Sequence, residues 1–292
     1  MRRDEVLRKI QVSEGSFVVD VGGGHRPFPR ADVVIEKFPF DHAMHRNRPM
    51  VFPRVPVIKA DAIAIPVLDG SCDLLFASHI IEHLPDPAGF IDEAKRISKQ
   101  LYLEFPSRNR ELMFAWPFHE WFIEPSGNVL RFYRNDLPQV FGNLFHTQFD
   151  AALGAWSEAR HELLNTSIHC RPEEIQVEFP EETATQLILR DSPRGSAKID
   201  SSVFINRPRY SLRETLAVMA QSVLPKSSYE RLSRQTDTNN APAQLTESVR
   251  ERLMCLRCRT GGLTLEGNDL VCRCGAVYSR DRGVFDFDLN AD

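Results

Sequence analysis

The run Ser16-Phe17-Val18-Val19-Asp20-Val21, closed at once by Gly22-Gly23-Gly24, constrains this chain more than any other segment. A short β-branched and aromatic run ending in glycines predicts a buried strand. Apolar residues on both faces place such a strand inside a parallel sheet covered by helices. Glycines after it let the backbone bend sharply and approach a ligand without an intervening Cβ. At the carboxyl edge of a parallel sheet, that is where a nucleotide-like cofactor lies. A plain strand-to-helix turn would use the same residues. Pro27 stands where the last glycine of G-x-G-x-x-G would be, which disfavours an ordinary dinucleotide fold.

The pattern downstream supports a sheet. Val33-Val34-Ile35, Val55–Ala60, Cys72-Asp73-Leu74-Leu75-Phe76-Ala77 and Leu101-Tyr102-Leu103-Glu104-Phe105 read as further strands, and residues 4–10 as a short helix. Pro87–Ser98 predicts an amphipathic helix, with Phe90, Ile91, Ala94 and Ile97 at helical spacing and proline in the first turn. Strands alternating with helices give an α/β class with a mostly parallel sheet. Beyond it the sequence predicts a helix near 147–164, strands near 174–179 and 185–190, and a helix near 211–223. Residues 226–249 turn polar, the composition of a linker. A hairpin is expected across Gly267-Asn268, between Leu263–Leu265 and Asp269–Val271.

Acids fall where a nucleoside would need them. Glu36 ends the second strand, sixteen residues after Asp20. A carboxylate there can accept from both hydroxyls of a ribose. Asp61 follows the third strand, within reach of an adenine amino group. Each alone could be a solvated loop acid. Three of them, each following a successive strand, are rare by chance.

Val18–Gly24, Lys59-Ala60-Asp61-Ala62, Ile65-Pro66, Asp69-Gly70-Ser71-Cys72-Asp73 and Ile81-Glu82-His83-Leu84-Pro85-Asp86-Pro87 together resemble the class I S-adenosylmethionine-dependent methyltransferases of the type 11 group. The likeness covers roughly residues 14–106 and implies a Rossmann-like sheet. It implies that Gly22 and Gly24 pass under the methionine part of S-adenosylmethionine and that Asp20 orients it. Glu36 would hold the ribose, Asp61 and the Ala62 backbone would read adenine, and Ser78 and His79 would border the sulfonium. One departure stands out: eight residues, among them Pro27 and Pro29, separate Gly24 from Val33. The usual long first helix cannot fit there. Some type 11 enzymes share this shortened, proline-rich form.

Ala77-Ser78-His79-Ile80 follows strand four in place of an Asn/Asp-Pro-Pro-Tyr/Phe clamp, which disfavours transfer to an amide or to adenine N6. Methyl transfer needs a general base only when the acceptor must lose a proton. His79 and His119 are the candidates, with Glu120 a candidate orienter of His119. His83 is expected to hold the loop and helix together, and His119 could equally be a packed core histidine. Residues 107–149, rich in tryptophan and phenylalanine, read as a lid and acceptor pocket or as a second small core. Arg108, Arg110, Arg131 and Arg134 could meet an anionic acceptor or form a solvated face.

The cysteines concentrate at one end: Cys255, Cys258, Cys272 and Cys274 sit together, while Cys72 and Cys170 stand apart. Clustered thiols at one end of a cysteine-poor chain point to a structural zinc ion rather than a disulfide framework. Cys255-x2-Cys258 has zinc-knuckle spacing; Cys272-x-Cys274 is one residue short. With Leu253–Cys258, Leu270–Tyr278 and Asp281–Val284, these residues resemble the small zinc-binding methyltransferase-activator family over about 250–289. Ser279 replaces its expected proline. That likeness implies a zinc-ribbon-like β domain and a protein partner among methyltransferases that modify RNA or translation factors.

The expected organisation is a methyltransferase domain over 1–225, the linker, and a zinc-ribbon-like domain over 250–292. The expected reaction moves a methyl group from S-adenosylmethionine to a small-molecule, glycan or lipid-linked acceptor. The alternatives are an RNA or translation-protein acceptor, or a cofactor-binding scaffold without chemistry. A formal charge of -4 and the lack of a basic stripe count against nucleic acid. No apolar run reaches the ~20 residues of a membrane span, and the start lacks a signal peptide's apolar core, so a cytoplasmic location is expected.

Overall fold

The structure, a computed structural model, describes residues 6, 10, 12–24, 27–40, 55–138, 160–191 and 243–288. Among them, strands β1 (Val18–Val21), β2 (Val33–Glu36), β3 (Val57–Lys59), β4 (Leu74–Ser78) and β5 (Leu101–Pro106) pair in the order 3-2-1-4-5, all parallel. The chain order reverses between β1 and β4. A ligand crevice forms at such a switch point, outside the strands' carboxyl ends. Every residue of β1, β2 and β5 is buried, which explains their near-continuous apolar character. The fold class is α/β with a mostly parallel central sheet.

The Pro87–Ile97 helix starts where the sequence predicts, with the Asp86 carboxylate accepting from Gly89 N at 2.8 Å and proline at the first position. It buries Phe90, Ile91, Ala94 and Ile97 against the sheet. Its Arg96 ties down the preceding crossover, donating to Ile65 O and Val67 O at 2.8 and 2.7 Å.

Two expectations need correction. Residues 185–190, read as a strand, lie in the helix Ala184–Asp191. Thr183 and Gln186 form a reciprocal cap: Thr183 N donates to Gln186 Oε1 at 2.9 Å and Gln186 N to Thr183 Oγ1 at 3.4 Å. Ala184 and Leu187, three apart, turn one face onto Phe122 and Tyr133. A strand also exists where none was expected. β8 (Asn165–Cys170) pairs antiparallel with β5 and is the polar edge of the sheet. Edge strands bury little and so lack the apolar signature of inner ones. The expected strand at 174–179 is present as β9 (Gln176–Glu178).

The aromatic stretch opens with the helix Arg108–Phe114, then forms a hairpin of β6 (Trp121–Ser126) and β7 (Val129–Arg134) turning at Gly127, with β9 added parallel to β7. Trp121, Ile123, Leu130 and Phe132 join the main core, while Phe122 and Tyr133 pack on the Ala184–Asp191 helix. The remainder of this stretch (139–149), most of the 147–164 helix, the 211–223 helix and linker residues 226–242 lie outside the described residues.

The cysteine-bearing segment forms the expected hairpin, β10 (Thr264–Glu266) with β11 (Asp269–Val271), joined by β12 (Val277–Tyr278). Its next strands reach the main sheet. β13 (Arg280–Asp281) pairs with β14 (Val284–Asp286), and β14 runs parallel to β3 as its outer neighbour. Lys59 and Asp286 close an ion pair across that seam at 2.8 Å. Met254 N donates to Pro66 O at 3.0 Å and Leu68 N to Arg252 O at 2.9 Å, so the knuckle region lies on the β3–β4 crossover.

Candidate active site

The glycine turn after β1 sits against Ile80, two residues past the end of β4. Gly22 and Gly24 have φ of +71° and +51°, the left-handed region that favours glycine. A Cβ at Gly22 would lie 2.7 Å from Ile80 Cδ1, and one at Gly23 would lie 2.5 Å from Asp20 Oδ2. The turn therefore has no room for a side chain at Gly22 or Gly23, where the Ile80 and Asp20 side chains already stand. Asp20, buried inside β1, accepts from Phe28 N at 2.6 Å and so pins the proline-rich return to β2.

Glu36 ends β2 and reaches under the same turn: Gly24 N donates to Oε2 at 3.2 Å and Phe38 N to Oε1 at 3.3 Å. Each carboxylate oxygen carries more than one acceptor position, so a bidentate approach by two hydroxyls stays chemically open. Asp61, two residues past β3, accepts from Lys37 Nζ at 2.5 Å and from Ile63 N at 3.2 Å; Ala62 beside it is buried. Asp20, Glu36 and Asp61 thus stand at the carboxyl ends of three adjacent parallel strands.

The other side of the switch point is a cluster of polar and ionisable side chains that bond to one another. Ser78 ends β4 and donates to Glu104 Oε1 at 3.0 Å. His79, next in the chain, adopts φ +57°, a strained value for a residue with a side chain. Its amide donates to Glu104 O at 2.8 Å, and its Nδ1 lies 3.1 Å from Glu82 Oε1. Its Nε2 lies 3.3 Å from Arg110 Nη1 and 3.6 Å from Glu104 Oε1. Arg110 Nη1 also donates to Asn165 Oδ1 at 2.5 Å. Glu104 Oε2 accepts from Tyr102 OH at 3.0 Å and pairs with His161 Nε2 at 2.9 Å.

Burial pushes the Glu82 and Glu104 carboxyls up, but their histidine neighbours outweigh it. The His79 bond and the nearby imidazoles hold Glu82 at about 2, and His161 and His79 hold Glu104 at about 2. Both are carboxylates at neutral pH. Tyr102 is pushed up, by burial and by the Glu104 charge.

His119 is buried, with Nδ1 at 2.6 Å from the equally buried Glu111 Oε1. Glu111, not the adjacent Glu120, orients it; Glu120 pairs with Arg134 at 2.9 Å. His83 packs edge to face on His119 with centroids 4.7 Å apart, and its Nδ1 meets Phe118 O at 3.0 Å. Arg108 pairs with Glu124 and Asp191, both at 3.1 Å, and Arg131 with Glu178 at 2.7 Å. Of the four arginines only Arg110 turns toward His79. Arg110 is one of the four arginines the sequence suggests; Glu104, His161 and Asn165 are parts of this site that the sequence reading does not assign to it. One signal was available: Glu104 interrupts an otherwise apolar strand, and a buried acid needs partners.

The four clustered cysteines converge. Their sulfurs lie within 4.8 Å of one another, with Cys255–Cys274 at 3.7 Å and Cys258–Cys272 at 3.5 Å, and all are free thiols. The edge of a tetrahedron with Zn–S bonds of about 2.3 Å is about 3.8 Å, so the set is compatible with zinc. Tyr278 OH donates to Cys255 Sγ at 3.1 Å and accepts from Leu256 N at 2.8 Å, fixing the knuckle. The shortened Cys272–Cys274 pair therefore still delivers both sulfurs.

Residues 37–101 match the family model of a methyltransferase domain. An uncharacterized methyltransferase of Mycobacteroides abscessus is 31% identical over 94 residues, covering 29% of this chain and 36% of its own length. The chain thus spans about a third of that curated relative. A SAM-dependent methyltransferase from Aquifex aeolicus is 22% identical, with a TM-score of 0.29, over 36% of this chain and 64% of the other. For the phosphoethanolamine N-methyltransferase 1 of Haemonchus contortus the identity is 19% and the TM-score 0.30, over 38% and 26% of the two chains. Among the described residues no helix is long and apolar enough to cross a membrane.

Proposed function

We propose that this chain binds S-adenosylmethionine in the crevice between β1 and β4 and transfers its methyl group to a small-molecule, glycan or lipid-linked acceptor. One observation carries the reading: Asp20 near the end of β1, Glu36 at the end of β2 and Asp61 just past β3 lie at the carboxyl ends of adjacent strands, beside a glycine turn at positive φ. The match of residues 37–101 to a methyltransferase domain supports it independently. The donor set fits the cofactor. Gly22 and Gly24 give close backbone approach, Glu36 suits a ribose diol, and Asp61 with the Ala62 backbone suits an adenine edge.

The bound cofactor supplies an electrophilic methyl carbon whose sulfur leaves as a neutral thioether. What remains for the protein is to place the acceptor, exclude water and take any proton. On this reading His79 takes the last task. Glu82 is ionised and accepts from Nδ1–H, which leaves the lone pair on Nε2, at the carboxyl end of β4. There it accepts from Arg110 Nη1 at 3.3 Å until an acceptor displaces that bond. A hydroxyl acceptor would give its proton to that nitrogen, while Arg110 offers charge to an anionic group nearby.

The four cysteine sulfurs would hold one zinc ion that closes the tail, with no open position for chemistry. On this reading residues 250–292 are a zinc-ribbon-like unit whose last strands extend the main sheet and whose exposed face is available to a protein partner. Transfer of tritiated methyl groups into fractionated cell lysate tests the function. Label in small molecules or glycolipids supports it. Label in RNA or protein would replace the acceptor class, and no label anywhere with intact cofactor binding would favour a non-catalytic scaffold.

A further inference from the structure

We propose that Glu82, His83 and His119 form a binding site for a first-row divalent cation. One oxygen or nitrogen from each of these residues lies within 4.8 Å of the others. A tetrahedral ion with bonds of about 2.0–2.1 Å to nitrogen and oxygen holds its ligands about 3.3 Å apart. The three groups must therefore draw in by at most about 1.5 Å, within reach of side-chain rotation.

Two features separate this trio from ordinary packed histidines. The first is the state of the rings. His83 Nδ1 faces the Phe118 carbonyl at 3.0 Å, and His119 Nδ1 faces the Glu111 carboxylate at 2.6 Å. Both partners are acceptors, so both Nδ1 atoms carry the proton and both Nε2 atoms keep the lone pair. Metal-binding imidazoles are held this way, by an acceptor on the far nitrogen that fixes tautomer and orientation. The second is Glu82, fully buried: its Oε1 serves His79 at 3.1 Å and lies 3.9 Å from His83 Nε2, while Oε2 of the same carboxylate has no hydrogen-bond partner among the described residues. An orphaned buried carboxylate oxygen is costly, and a cation on it removes that cost.

Two imidazoles and one carboxylate suit zinc, iron or cobalt rather than magnesium or calcium. Three protein ligands leave coordination positions open, and His83 is half-exposed on the outer side of the trio. A water or a substrate oxygen would occupy them; if the methyl-transfer reading holds, that oxygen would belong to the acceptor. The proposal itself concerns metal binding alone and fails or stands separately from that reading.

The test compares metal content between variants of the full chain. Protein equilibrated with excess zinc and freed of unbound ion by gel filtration is assayed for zinc per chain. His83→Ala should lower the content of the wild type by one equivalent, and His83→Gln, which retains bulk and hydrogen bonding, should do the same if the smaller side chain disturbs folding. Cys258→Ser should leave this equivalent in place. Loading with cobalt(II) gives a second readout. Imidazole–carboxylate cobalt absorbs weakly in the visible range, whereas thiolate cobalt adds intense near-ultraviolet charge transfer. His83→Ala should remove the first signal and spare the second. Equal zinc content in wild type, His83→Ala and His83→Gln would overturn the proposal, as would a visible cobalt spectrum unaffected by either change.

Discussion

On the β1–β2–β3 side of the switch point, recognition is left to backbone and to acids tied mostly to backbone amides: Phe28 N on Asp20, Gly24 N and Phe38 N on Glu36, Ile63 N on Asp61. On the β4–β5–β8 side, side chains hold one another. Glu104 alone gathers Ser78, Tyr102 and His161, and Glu82 gathers His79. The first side is shaped by sterics, because a turn with positive φ and no room for a Cβ depends little on pH. The second is shaped by charge and ought to respond to protonation. A site divided this way can hold an invariant nucleoside on the steric side and adjust its chemistry on the charged one.

The sharpest way to break that division is His79→Ala. Turnover should fall by about 10²–10⁴-fold for a hydroxyl acceptor, while affinity for S-adenosylhomocysteine stays within about twofold. Equal losses in both would mean the two sides are not separable. Gly22→Val should do the reverse. With φ at +71° and Ile80 Cδ1 2.7 Å from the new Cβ, cofactor affinity should fall by about 100-fold or more in calorimetry. Circular dichroism would report whether the fold survives. Asp61→Ala is milder, about tenfold in affinity, since it removes one hydrogen-bonding partner from an exposed rim.

The charged side also makes a pH prediction. Glu82 and Glu104 are held at about 2 in the folded protein, below the ordinary carboxylate range. Groups with depressed folded pKa stabilise the fold above their unfolded pKa and lose that contribution as pH falls toward the folded value. Unfolding free energy should therefore drop between about pH 5 and pH 2. Glu104→Gln should cost about 1–3 kcal/mol at pH 7 and flatten part of that slope, read by urea denaturation at several pH values. An unchanged slope would show that these carboxylates are not what acid attacks.

The two sides were unequally legible in the sequence. Strands β1 to β5 could be placed because inner parallel strands carry unbroken apolar runs, and the Pro87–Ile97 helix because Asp86, Pro87 and the Phe90–Ile97 spacing agree. The positions of Asp20, Glu36 and Asp61 at strand ends followed directly. The charged network did not. Its members come from β4, β5, the Arg108–Phe114 helix, the His161–Leu164 turn and the polar edge strand β8, and no local spacing links residues so far apart in the chain. β8 itself has no apolar period to read. The helix at 184–191 reads in the sequence as a strand, because its short apolar run fits either period. The tail's hairpin was marked by Gly267-Asn268. Its pairing with β3 was not, because a three-residue strand such as Val284–Asp286 carries no register information until it meets a partner.

The central claim is that a sterically defined crevice between β1 and β4 holds an S-adenosyl nucleoside. Isothermal titration of the folded full chain with S-adenosylhomocysteine tests it most directly, with Gly22→Val as the matched control. The account predicts saturable binding of one molecule per chain that the variant loses. A folded wild-type chain that takes up no ligand, or a Gly22→Val chain that binds as tightly as wild type, would contradict it.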